Sequence, residues 1–171
     1  MHAKDIYMKL LITTLLVLVF HPLLSQDRIV EAYPEVFVRA AEERKSVFFI
    51  FSSDFCGWCR VFDKYHATPE VKKILGKDYL FQTIDITDPE SESRDLWEHY
   101  DFIGVPAWLI FSSDKEMISD GRTENGEPLG YPLSPGSMDA YIDAISRSSR
   151  HIKKKQLLVL REKIVYCDEH Y

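Results

Sequence analysis

The chain has 171 residues, 46% of them hydrophobic and 28% charged, with a formal net charge of −6. This length suits one domain rather than two, and the composition is that of a folded protein, which excludes wholesale disorder. The acidic balance excludes a dedicated nucleic-acid binder, because phosphate neutralisation needs a basic surface. Three cysteines are too few to staple a mini-protein and odd in number, so they need another explanation.

In chain order, residues 1–25 read as an address. Lys4 and Lys9 precede the uncharged run Leu10–Phe20, which is followed by Pro22 and the small Ser25. Those are the three parts of a secretory signal peptide. The competing reading is an uncleaved membrane anchor, although Leu10–Leu24 falls short of the ~20 residues of a span and is interrupted by His21 and Pro22. Either way the rest of the chain is expected in a compartment where disulfides can form.

Residues 26–146 are expected to form the domain proper. Pro34 suits the first turn of a helix reaching about Arg44. Ser46–Ser52 is a continuous apolar run, rich in aromatic and β-branched residues, and predicts a central strand covered on both faces. A helix begins near Cys56, and Thr68-Pro69-Glu70 restarts a helical turn that Gly76 closes. Tyr79–Ile86 is a second strand, and Asp88-Pro89 marks a helix start with Asp88 as its cap. Gly104-Val105-Pro106 breaks the pattern before the strand Ala107–Phe111, and Glu116–Ser119 forms another. A Gly/Pro loop then leads to an amphipathic helix over Met138–Ile145. This order predicts an α/β fold with a central mixed sheet flanked by helices. Residues 147–171 are expected as a C-terminal helical, basic extension, with Lys153–Lys155 on a solvated face. There Cys167 lies in a charged tail far from the other two cysteines, a free thiol without a role or an intermolecular link.

Cys56-Gly57-Trp58-Cys59 carries the chemistry. Two cysteines at i and i+3, directly after a buried strand and at a helix start, put the first sulfur where unpaired backbone N–H groups favour thiolate. The second lies one turn in and can attack a mixed disulfide formed by the first. That is thiol–disulfide exchange, with Cys56 as the attacking residue and Cys59 resolving. Two alternatives remain open: an inert structural disulfide, and half of a metal site that His66 and distant Cys167 would have to complete.

The strand-then-Cys56-Gly57-Trp58-Cys59 arrangement and the Gly104-Val105-Pro106 stretch before a strand resemble the thioredoxin superfamily over about Pro34 to Ile145. Cys59–Tyr65 followed by Pro69-Glu70-Val71 is similar to small secreted thioredoxin-like proteins and to the C-terminal thioredoxin-like domain of the periplasmic reductase DsbD. The resemblance implies a thioredoxin fold and an exported, periplasmic or otherwise secreted thiol:disulfide oxidoreductase. It also implies protein disulfides or thiols as substrates, a redox partner protein, no dissociable cofactor, and reduction rather than oxidation. The alternative is a thioredoxin-fold binding module that holds a client or a metal without turnover. Membrane association enters only if the N-terminal segment stays uncleaved.

By the same resemblance Pro106 has a cis peptide bond and faces the cysteines, against an ordinary trans proline at a strand start. Val105 would pair its backbone with bound substrate as an added strand. The sequence departs from cytosolic thioredoxin in having Ile50 where that family carries a buried acid. Asp63, four residues after Cys59, is the candidate substitute as proton relay, against a surface carboxylate paired with Lys64 or Arg60. Trp58 is read as an exposed contact for a peptide-like partner, against simple packing. Asp54 is read as a loop or capping acid, Phe55 as packing under the motif, and Trp97 and Trp108 as core.

Overall fold

The computed structural model describes residues 27–170, so the expected signal segment lies outside the described residues. The chain divides between Ala32 and Tyr33; of the first unit only Asp27 and helix α1 (Arg28–Ala32) are described. The second unit contains α2 (Pro34–Glu43), β1 (Ser46–Ser52), α3 (Gly57–Ala67), α4 (Pro69–Leu75) and β2 (Tyr79–Asp85). It continues with α5 (Glu92–His99), β3 (Ala107–Phe111), β4 (Met117–Ser119), α6 (Pro135–Ser148) and α7 (Lys154–His170).

The sheet runs β2-β1-β3-β4. Strand β1 pairs parallel to β2 and antiparallel to β3, and β3 pairs antiparallel to β4. It is the mixed sheet that the element order predicts. Because side chains alternate along a strand, β1 fills two cores at once. Phe48 joins Phe62, Tyr65, Trp108 and Tyr141 on one face. Phe49 meets Phe37 of α2 on the other, and Phe51 meets Phe102. All five residues Val47–Phe51 are buried, which is why the run has no polar alternation.

Three boundaries differ from the sequence reading. Asp88 does not cap α5: its carboxylate accepts the Glu90 N–H at 2.9 Å in a local turn, and Ser91 caps the helix through Arg94 N–H at 3.2 Å. Helix α6 starts earlier than Met138, because the Ser134 hydroxyl accepts the Ser137 N–H at 3.1 Å and Pro135 suits the first turn. It also continues through Ser148, past the helix end expected at Ile145.

The larger difference is α7. It is the expected helix, 17 residues long, but instead of standing apart as an extension it sends Leu160, Ile164 and Cys167 into the main core. Lys153, just before it, and Lys154 and Lys155 in its first turn are exposed. The approach to α7 is pinned by Asp78, a carboxylate only 3% exposed. It accepts the His151 backbone N–H at 3.0 Å and meets the His151 ring Nδ1 at 2.6 Å. A buried carboxylate needs such partners to offset its lost hydration.

Candidate active site

Strand β1 ends at Ser52, and residues 53–55 turn the chain before α3; the Cys56 N–H closes that turn on Ser53 O at 3.0 Å. Cys56 is the N-cap of α3, in extended conformation, and its side chain takes the role usually played by serine or aspartate. Its Sγ accepts the Cys59 backbone N–H at 3.0 Å. Cys56 and Cys59 are disulfide-bonded, with Cα atoms 5.2 Å apart. Cys56 is half-buried, whereas Cys59 is 2% exposed. One sulfur can be reached from outside and the other is shielded by its own helix.

The loop before β3 closes over this pair. The Val105–Pro106 peptide bond is cis, Pro106 is buried, and Val105 O lies 3.3 Å from Cys56 Sγ. In the disulfide this sulfur carries no proton, so the approach is a contact; once reduced, the thiol can donate to that carbonyl. Trp97 braces the loop from α5, its indole N–H donating to Gly104 O at 3.3 Å. Trp97 is therefore half-buried beside the site rather than in the core, whereas Trp108 is fully buried.

Trp58 is 46% exposed and stacks on Tyr131, with ring centroids 5.7 Å apart and planes 13° apart. Phe55 is 87% exposed and does not pack under the motif. The turn that begins at Ser53 carries its side chain outward, and β1 has already filled both faces of the sheet. Asp54 is exposed; its backbone N–H is held by Thr87 Oγ1 at 3.0 Å and its carbonyl accepts from Arg60 at 3.1 Å. Asp63 is exposed on α3. Partial desolvation raises its carboxyl above the ordinary carboxylate range.

His66 offers no open nitrogen. Nδ1 lies 3.0 Å from Phe62 O and Nε2 3.3 Å from Tyr141 Oη, and burial pushes the imidazole down to about 3. Among the described residues no three His, Cys, Asp or Glu side chains gather to hold a metal. Cys167 is fully buried and free, with burial pushing its thiol up. Such burial removes it from any link to another chain. A cleft of about 450 Å³ beside the disulfide is lined by Gly57, Trp58, Arg60, Val61, Lys64 and Asp168. A larger one, about 710 Å³, lies among residues 119–147 and contains no sulfur.

The residues beside the site that were not expected there from the sequence are Tyr131, Trp97 and Asp168. Tyr131 lies in a loop without periodicity. Asp168 does carry a signal: Leu160, Ile164 and Cys167 recur at helical spacing and mark a packed helix that would bring its neighbours to the core.

A mixed sheet with a capped cysteine pair at the head of a helix, faced by a proline loop, is a thioredoxin-like thiol:disulfide oxidoreductase fold. The chain belongs to the thioredoxin-like family, whose model matches residues 28–113. It is 30% identical over 86 residues to the thiol:disulfide interchange protein DsbD of Photorhabdus laumondii subsp. laumondii, covering 50% of this chain and 15% of that protein. It is likewise 30% identical over 87 residues to DsbD of Colwellia psychrerythraea, covering 50% of this chain and 14% of that protein. The chain thus spans only a small part of these curated relatives. The crystal structure of a disulphide isomerase from Xylella fastidiosa Temecula1 shares the fold, with a TM-score of 0.51 and 20% identity, covering 66% of this chain and 88% of that one.

Proposed function

We propose that the protein is an exported thiol:disulfide oxidoreductase that reduces protein disulfides through Cys56 and Cys59. The observation that carries this reading is the Cys56 sulfur at a helix N-cap, accepting the Cys59 N–H and lying against Val105 O of the proline loop. An N–H aimed at sulfur, together with the helix dipole, favours thiolate at Cys56 and lowers its pKa relative to a free thiol.

In the reducing direction the Cys56 thiolate attacks one sulfur of a substrate disulfide. A Cys56–substrate mixed disulfide forms and the first substrate thiolate leaves. Cys59, deprotonated, then attacks Cys56 Sγ, releasing the second substrate thiolate and forming the Cys56–Cys59 disulfide. Two electrons pass to the substrate, and a dithiol of a redox partner protein restores the pair. Asp63, one turn beyond Cys59, takes the role of proton acceptor for the resolving thiol. Trp58 is the apolar contact for the substrate, and Val105 and Pro106 align it against Cys56 as an added strand. No dissociable cofactor enters this cycle.

The preference for reduction and for the periplasm rests on the similarity to DsbD and on the sequence of residues 1–25, read as a signal peptide ahead of a domain over 26–146 and an extension over 147–171. Among the described residues no helix is long and apolar enough to cross a membrane. The test is trapping. A Cys59→Ala variant mixed with a disulfide-bonded protein should accumulate a Cys56 mixed disulfide visible by mass spectrometry, and Cys56 should alkylate faster than an ordinary thiol near neutral pH. An ordinary alkylation rate with no trapped adduct would leave a binding module without turnover.

A further inference from the structure

Tyr131, which the exchange cycle does not use, packs against Trp58, which it does. Its ring lies under Trp58 in a near-parallel stack. Its edge meets Phe62, also on α3, with centroids 5.8 Å apart and planes at 83°. Its hydroxyl donates to Ile164 O of α7 at 2.7 Å. Although it sits in a loop, Tyr131 is only 6% exposed.

The segment before it is equally constrained. Gly130 has φ +54, a conformation that suits glycine, and its carbonyl accepts the Trp108 indole N–H at 3.1 Å. A Cβ on Gly130 would stand 3.6 Å from Pro106 O, so this strand of loop runs alongside the proline loop. Asp168, one helical turn beyond Ile164, closes the cleft that Trp58 lines. Helix α7 therefore both tethers Tyr131 and supplies one lining residue of the cleft that Trp58 also lines.

Trp58 sits between the two cysteines, covered on one side and 46% exposed overall. An exposed indole on a free rotor must be ordered when a partner binds, and that ordering costs affinity. A stacked one is already in place. We propose that Tyr131 is a positioning residue: its ring, stacked on the Trp58 indole and edged against Phe62, holds that indole as a fixed apolar wall beside the Cys56–Cys59 disulfide. That wall selects partner peptides with an apolar side chain next to their cystine. The inference rests on the disulfide-exchange reading for its substrate, but the placement of Trp58 can be read without turnover.

Protein labelled with 5-fluorotryptophan provides the first measurement, with the Trp58 resonance assigned by its loss in Trp58→Phe. In Tyr131→Leu, which keeps apolar fill but cannot stack, the Trp58 ¹⁹F resonance should shift; in Tyr131→Phe it should stay near the wild-type position. The second measurement compares reduction of two cystine peptides that carry Phe or Ala beside the disulfide. Wild type should favour the Phe peptide, and Tyr131→Leu should lose about two- to tenfold of that preference, the worth of one aromatic pair, through KM rather than kcat. Tyr131→Phe should restore most of it. In a Trp58→Ala background the Leu substitution should change nothing further. An unmoved Trp58 resonance, or equal loss with and without Trp58, would overturn the proposal. Failure of the wild type to reduce either peptide would instead remove the exchange reading, with the ¹⁹F result still deciding what Tyr131 does.

Discussion

Two sulfurs three residues apart differ in their surroundings, and the proposed order of reaction rests on that difference. Cys56 is half-buried, receives a backbone N–H and faces the proline loop, whereas Cys59 is shielded within α3. Asp63 offers a pH experiment at the same scale. Its raised pKa means the native state binds this proton more tightly than the unfolded chain does. Stability therefore falls as pH rises from the ordinary aspartate range through the higher native value. Asp63→Asn, which removes this charge, is expected to match wild type below that window and to be slightly more stable above it, as read by urea denaturation at both ends. The same variant should slow resolution by Cys59 at neutral pH; unchanged kinetics would remove Asp63 from the cycle.

Among the elements, α7 changes the picture most. A basic, charged stretch with one stray cysteine reads as an appendage, yet its apolar stripe is part of the main core. The lysines that dominate its start face outward, while Leu160, Ile164 and Cys167 recur on one side. Leu160→Ala should cost about 2–5 kcal/mol, seen as a lower urea midpoint with an unchanged slope. In the native reduced protein Cys167 should resist alkylation and react only once urea is added. Equal reactivity in both conditions would mean that α7 does not stay docked. The shift of the α5 start from Asp88 to Ser91 has a smaller lesson: both residues are good caps, and a local turn claimed the first one.

For the molecule as a whole the open quantity is the reduction potential of the Cys56–Cys59 pair. A reductase should equilibrate with glutathione at a potential nearer to about −270 mV, as in thioredoxin, than to about −120 mV, as in a strong oxidant. Titration over defined ratios of reduced to oxidised glutathione measures it directly. A value at the oxidising end would reverse the proposed direction of electron flow while leaving the site intact.

Local features were readable from the residues alone. The Cys56–Cys59 spacing, the buried run of β1 and the proline stretch before β3 each depend on neighbours a few positions away, so pattern is enough to reveal them. The fold class followed from their order, since a strand apolar on both faces requires helices on both sides. Long-range partners were not readable in this way. Tyr131 reaches Trp58 only after the sheet and α7 have packed, because nothing near Tyr131 in the chain marks it as part of the site. Phe55 was expected inside and stands outside for the same reason: whether an aromatic residue is buried depends on the space its neighbours leave, and β1 had filled it. The odd cysteine count resolves likewise, into a disulfide-bonded pair set by spacing and a core residue set by packing.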